Sequence, residues 1–297
     1  MTVDVVCAGP PFLDIVFRGL ERIPRAGEEV LASGVVIVPG AMANVAFALR
    51  QLGLEAVVCS ARGIDATGRL LQQLMDEAGV PWIGEQAGTT SVSVALPIEG
   101  DRAFVTVQSD TAVDTAAIAA LSPRAIVANL PLPGGMPSPS WVYGVIGDPQ
   151  VAILRDEGPK PLTELRALFL NEREARDLTG LFDTLEAAAR LAVRGCLVVV
   201  TRGADGAAAA TPDGRVIETA AVVADAQDTV GAGDLFTAAF IWADLLDRPL
   251  EERLHLAAAY ASLSLGRPTS RQKGLTTAAF RDALAETEAP MDWLREA

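Results

Sequence analysis

Lysine is nearly missing from this chain. Of its 24 lysines and arginines, only Lys160 and Lys273 are lysines. A Walker A loop needs Gly-Lys followed by Ser or Thr. Lys160 lies between prolines and Lys273 precedes Gly274, so neither supplies one. The strand lysine of protein kinases is missing for the same reason. Histidine is limited to His255, which removes support for histidine-based catalysis. Cysteine is limited to Cys7, Cys59 and Cys196, far apart in apolar runs. With no CxxC pair and an odd count, buried thiols are expected rather than a disulfide framework or a metal site. Basic charge is also short overall: the net charge is −14, which argues against a nucleic-acid surface.

Long membrane-spanning runs are lacking too. Residues 30–49 carry no charge, but Pro39, Gly40 and Asn44 break them into a strand, a turn and a helix start. Residues 125–147 are uncharged and repeatedly interrupted by proline. Met-Thr-Val-Asp at the start has no basic segment of the secretory type, so a soluble cytoplasmic protein is expected. What the chain does have is a hydrophobic fraction of 50% and a charged fraction of 21%, a globular balance over 297 residues.

The apolar pattern predicts α/β order. Val3 to Ala8 reads as a buried strand ending at Gly9-Pro10-Pro11, followed by strands near Leu13–Arg18 and Val30–Val38. Asn44 to Leu52 reads as a helix, Ala56 to Cys59 as a strand and Thr67 to Ala78 as a helix. Residues 89–108 instead alternate apolar and polar, with Glu99-Gly100-Asp101 as a hairpin turn. Together, residues 12–38 and 89–108 are expected to form a small antiparallel sheet beside the main layer. Strands then recur at Ala125–Ala128, Val142–Ile146, Ala167–Leu170 and Cys196–Thr201, with a helix over 184–194 and a Gly-rich hairpin over Gly206–Glu218. Helices close the pattern at Gly233–Asp244, Glu251–Leu265 and Thr277–Glu286.

The sharpest segment is Asp228-Thr229-Val230-Gly231-Ala232-Gly233-Asp234, directly before an apolar helical run. Small residues at a helix start let backbone N–H groups converge on an anion. The helix dipole favours an ionised Asp234, which can then accept a hydroxyl proton. By itself, a GxG turn with an aspartate cap is common. Upstream stand Pro39-Gly40-Ala41-Met42-Ala43-Asn44-Val45-Ala46, Leu52-Gly53 and Gly63-Ile64-Asp65 with Gly68. Asn171-Glu172-Arg173-Glu174, read alone, is a helix cap with Glu at the third position.

Taken in order, these strings resemble the ribokinase-like, or PfkB, family of carbohydrate kinases. The D-T-x-G-A-G-D string matches in full. Ala41 departs from a usual glycine, and Gln150 in Asp148-Pro149-Gln150 from a usual asparagine. The resemblance implies one ribokinase-like unit over residues 1–297, a central mostly parallel sheet flanked by helices with a small β-sheet lid. It also implies an ATP-dependent kinase acting on a primary hydroxyl of a sugar or sugar acid. On this resemblance Asp234 is the general base, and the backbone of Gly231, Ala232 and Gly233 is the anion hole. Asp14, Gly40 and Asn44 bind the acceptor. Asn171, Thr201, Gly203 and Gly206 bind ATP. Glu174 organises Mg²⁺ through water, and Asp228 matches a ligand of the monovalent cation, such as K⁺, that many members hold. Pairing of two subunits through the lid is a family habit. Arg155 reads as a surface residue and Asp110 and Asp114 as loop residues, each within possible reach of the pocket.

Two alternatives remain open. A nucleoside kinase of the same family would stack its base on an aromatic, with Phe12, Trp82 and Phe104 as candidates. A catalytically silent binding protein would keep the fold without turnover. A Rossmann dehydrogenase is excluded, because Gly9-Pro10-Pro11-Phe12-Leu13-Asp14 is not GxGxxG.

Overall fold

A computed structural model of the chain describes residues 2–98, 101–109, 112–137, 141–156, 162–222, 230–266 and 274–287. Its strands are β1 (Val5–Ala8), β2 (Pro11–Arg18), β3 (Gly34–Ala41), β4 (Ala56–Cys59), β5 (Trp82–Ile83), β6 (Val92–Ile98) and β7 (Asp101–Val107). Then come β8 (Ala125–Asn129), β9 (Trp141–Val145), β10 (Ala167–Asn171), β11 (Leu197–Thr201), β12 (Ala207–Ala210) and β13 (Val216–Thr219). Its helices are α1 (Met42–Gln51), α2 (Ala66–Glu77), α3 (Thr115–Leu121), α4 (Asp148–Asp156), α5 (Glu172–Thr179), α6 (Thr184–Ala192), α7 (Ala232–Leu245), α8 (Leu250–Leu265) and α9 (Thr277–Ala285). No described helix is long and apolar enough to cross a membrane.

Nine strands form one sheet in the order β13-β12-β11-β10-β9-β8-β1-β4-β5. It is parallel except where β12 pairs with β11 and β13. Burial on both faces explains the continuous apolar runs. Along β1, Val5 and Cys7 pack in the core built with α1, α7 and α8, whereas Val6 and Ala8 pack with Ile118 of α3 on the other face. The same alternation places Phe169 of β10 on the α7 side and Leu168 and Leu170 against Ala187 and Leu191 of α6. Helix α7 is buried continuously from Leu235 to Leu245, which is why its sequence is apolar all round.

The small sheet has the order β3-β2-β6-β7. It is mixed rather than wholly antiparallel, because β2 and β6 run parallel. Its third chain segment also differs from expectation. β3 begins at Gly34 and continues through Pro39 and Gly40 to Ala41, in register with all of β2. Pro39 is tolerated because β3 is an edge strand and one face of it needs no N–H donor.

Three short elements were not legible in the sequence: α3, α4 and the two-residue β5. Asp114 proves to be the N-cap of α3, accepting from Ala117 N at 2.9 Å, rather than a loop residue. Asp148-Pro149 starts α4 instead of ending a strand, and the Gln150 side chain accepts from Gly147 N at 3.1 Å. Arg155, on α4, is exposed. The three cysteines are buried and not joined, and burial raises the thiol of each above its ordinary range.

Candidate active site

The sheet order reverses direction between β8 and β1, and ligands of open α/β sheets gather outside the carboxyl ends of strands at such a point. Chain segments from both sheets meet there. β1 ends at Ala8, and Gly9 lies so close to Met42 and to Asn129 at the end of β8 that a Cβ would stand 2.5 Å from Asn129 Oδ1. Asn129 belongs to no motif read in the sequence. Only its position at a strand end could have drawn attention to it.

One group of predicted residues forms around Asp234. Asp14 lies on β2 opposite Val38 and is 9% exposed. Gly40, on the neighbouring strand, has no room for a side chain: a Cβ would collide with the Asp14 carboxylate. Asn44, in the first turn of α1, donates its Nδ2 to Asp234 Oδ2 at 2.9 Å across 190 positions of sequence. Gly231 caps α7 with φ +79°, and a Cβ there would sit 3.1 Å from Asn44 Nδ2. Burial raises the Asp234 carboxyl to about 6, against the lowering effect of the Asn44 amide. Burial and the charge of Asp234 raise Asp14 to about 7.

The second group lines a cavity of about 410 Å³ next to the start of α7. Thr201, Gly203 and Gly206 form one rim and Ala232 and Gly233 another. The wall is apolar, with Phe236, Ala258 and Leu265 among its residues. The α8 side of this wall carried no motif; its only sequence signal was the alanine run of a buried helix. Gly206, at φ +88°, brings the loop against the Thr219 backbone, where a Cβ would clash. Arg202 is tied to Glu218 at 2.6 Å instead of reaching into the cavity.

Asn171 neighbours Thr201 in register at the carboxyl edge of β10 and β11. With Glu174 it makes a complete capping box. Glu174 N donates to Asn171 Oδ1 at 2.9 Å, and Asn171 N donates to Glu174 Oε2 at 2.7 Å. Glu174 is 7% exposed, and burial raises its carboxyl to about 7, with the charge of Asp148 adding to the effect. The described residues hold no cluster of three or more His, Cys, Asp or Glu able to bind a metal by themselves. Asp228 and Asp110 lie outside the described residues.

Two other readings resolve differently from their motifs. Asp65 of the G-x-D-x-x-G string is structural. Burial pushes its carboxyl up, but hydrogen bonds from the Thr90 hydroxyl and backbone and from Gly68 N overcome this and hold it at about 2. The string thus ties α2 to the entry of β6. Trp82 is in the core, donating its indole N–H to Ser60 Oγ at 3.0 Å, and cannot serve as a stacking platform. Phe12 is half-buried and Phe104 exposed.

The profile of the pfkB family carbohydrate kinases matches residues 12–129 and 148–277. An ATP-dependent ribose-1-phosphate kinase from Halopiger xanaduensis is 29% identical over 298 residues, covering 95% of this chain and 97% of its own. A ribokinase from Bacillus subtilis is 28% identical, covering 88% and 92%. The adenosine kinase structure from Sinorhizobium meliloti superposes with a TM-score of 0.77 at 21% identity, covering 96% of this chain and all of that one, a likeness of fold.

Proposed function

The chain belongs to the pfkB family of carbohydrate kinases, and from that premise we propose that it transfers the γ-phosphoryl group of ATP to a primary hydroxyl of a sugar or sugar acid. One observation carries this reading: the half-buried Asp234 is bonded to Asn44 on the Asp14 side and directly follows Gly233, which lines the apolar cavity beside α7. Two reactants held on either side of that carboxylate would meet at it.

In this reading the adenine lies in the apolar cavity, with the Thr201–Gly206 loop along the ribose and phosphates. The first N–H groups of a helix have no intrahelical acceptor. Those at Gly231, Ala232 and Gly233, aided by the dipole of α7, receive the negative charge on the phosphoryl group in flight. Asp14 and Asn44 orient the acceptor. Asp234 takes the hydroxyl proton as the oxygen attacks phosphorus and the bond to the ADP oxygen breaks. Gly40 lets the acceptor approach the backbone.

The residues near the phosphate path fit Mg²⁺. Glu174 spends one carboxylate oxygen on its own cap, and burial, helped by the charge of Asp148, raises its proton affinity against the Asn171 hydrogen bonds and the Arg173 charge. Mg²⁺ keeps several waters and prefers few carboxylates plus phosphate oxygens, so Glu174 would hold it through water. Bound there it supplies neutralisation of phosphate charge. A K⁺ requirement rests only on the Asp228 match.

The whole chain is read as one kinase unit, with residues 12–38 and 89–108 as a lid that excludes water. The outer face of that lid exposes Phe17, Val35, Ile37, Val105 and Val107. Such an apolar face suits pairing with a second copy. Cytoplasmic ATP is the expected donor pool. The second reading, a nucleoside acceptor, is left with Phe12 and Phe104 after the loss of Trp82. A coupled assay of ADP release with Mg-ATP over sugars, sugar acids, sugar phosphates and nucleosides tests these readings. Turnover on a sugar or sugar acid is expected. Turnover on nucleosides alone would replace it with the second reading. Stabilisation by a ligand with no turnover on any acceptor would leave a silent binding protein.

A further inference from the structure

Asn44 is the one described side chain whose hydrogen bond reaches Asp234, and it comes from a different helix. The contact is specific in shape. The left-handed Gly231 leaves the Asn44 amide the space that a Cβ would crowd at 3.1 Å, and α1 packs directly on α7. The contact is also singular in sign. The titratable groups facing Asp234 among the described residues are Cys7 on β1 and Asp14 on β2; neither is cationic, and the charge of Asp234 opposes ionisation of both. Helix α8 and strand β10, which also pack against α7, bring no charge that moves it. Apart from the dipole of α7, the amide is therefore what favours the ionised carboxylate over its protonated form.

We infer that Asn44 is a positioning residue for the general base: its amide occupies Oδ2 of Asp234, leaves Oδ1 for the acceptor hydroxyl, and keeps the carboxylate ionised. This rests on the reading of Asp234 as the base. The choice of an amide follows from the chemistry required. A cation at 2.9 Å would hold the carboxylate ionised but weaken it as a proton acceptor, and an apolar residue would leave it protonated near neutral pH. A neutral donor lowers the proton affinity by less than a cation and so leaves the carboxylate both ionised and basic. The two glycine motifs, 190 positions apart, then form one device. The acceptor-binding helix start and the phosphate-binding helix start are joined by this hydrogen bond.

The test is the pH dependence of kcat in Asn44→Leu and Asn44→Asp, with the chain otherwise unchanged. In Asn44→Leu the acid limb is expected to move up by about one pH unit, the scale for removing one hydrogen bond to a charged group. Asn44→Asp should move it further, because a second carboxylate replaces the donor. A rise in KM with the limb unmoved in both variants would overturn the inference and leave Asn44 as an acceptor contact only. If either variant folds poorly, infrared titration of the Asp234 carboxyl provides a second readout, assigned by difference from Asp234→Asn. It should follow the same order in Asn44→Ser, a shorter donor, with a smaller shift. No shift there would also overturn it. Full turnover in Asp234→Asn would instead remove the base reading itself, a result separable from the first.

Discussion

Helix α7 carries an aspartate near each end, Asp234 half-buried and Asp244 buried, and the two are treated in opposite ways. Asp234, in the first turn, receives one side-chain hydrogen bond among the described residues, from the neutral Asn44 amide. Asp244, ten positions later and 1% exposed, receives three, and an ion pair besides. Tyr143 Oη donates at 2.6 Å, Arg166 donates from Nε at 2.5 Å and Nη2 at 2.7 Å, and Arg253 Nη1 stands 2.6 Å away. Arg166 is itself fixed over the Trp141 ring at 3.6 Å. The helix dipole explains part of the contrast: a carboxylate is favoured at the N-terminal end and disfavoured at the C-terminal end, where cations must offset it. The rest is a difference of task. A fully paired acid anchors the helix to β9, β10 and α8, and holds its other end still. An under-paired acid retains the basicity that proton transfer requires.

Substitutions at the two ends should therefore separate activity from stability. Asp234→Asn is expected to lower kcat by roughly two to four orders of magnitude while nucleotide binding persists. In the unsubstituted enzyme, kcat/KM should fall as the pH drops through about 6, where Asp234 takes up its proton. Steady-state kinetics from pH 5 to 9 check both. Near-normal turnover in Asp234→Asn would erase the distinction between the two ends.

Asp244→Ala should do the reverse. Removing one member of a buried ion network leaves its partners uncompensated, at a cost of about 3 kcal/mol, the lower part of the usual range because Arg166 keeps 32% exposure. Denaturant unfolding measures it, and the folded fraction should retain its KM for ATP.

Asp14→Asn sharpens the acceptor side. The folded-state carboxyl is raised to about 7 from an ordinary 3.8. Its protonated form thus contributes stability that is complete below about 4 and lost as the pH rises through 7. Asparagine mimics that neutral form. The variant should be more stable than the unsubstituted, ligand-free protein at pH 8, on the order of 2 kcal/mol, with the gap closing by pH 4. Unfolding curves at the two pH values decide it.

The smallest expected effect is at Ala41. It caps α1 with φ +51° and ψ −124°, a conformation that favours glycine. Ala41→Gly should stabilise the fold by about 1 kcal/mol, read as a rise in Tm. Destabilisation would mean that the alanine methyl packs usefully there.

Much of the layer order was legible, because parallel strands buried on both faces are short continuous apolar runs, whereas covering helices are longer and, α7 apart, carry polar residues on one side. The strand Ala56–Cys59 and the helix near Glu251–Leu265 were visible on that ground. β3 was misplaced because its end is set by pairing with β2, a partner that local periodicity cannot see. Helix α4 was missed because Asp-Pro is ambiguous between a strand end and a helix start. In the site, the glycine motifs were visible because close backbone approach restricts residue type. The Asp244 network was not, since arginine, tyrosine and aspartate on four separate elements carry no shared spacing.

By itself, the sequence determined the α/β class, the kinase family strings and the exclusion of lysine-based phosphate binding, all of which depend on residue type at short range. Tertiary structure alone decided that Asn44 meets Asp234 and that Asn171 and Glu174 cap each other. It also decided that Asp65 ties a loop to the small sheet and that Trp82 belongs to the core. Each of those outcomes is fixed by which groups share a buried space. In that space a carboxylate's proton affinity depends on its neighbours rather than on its own chemistry.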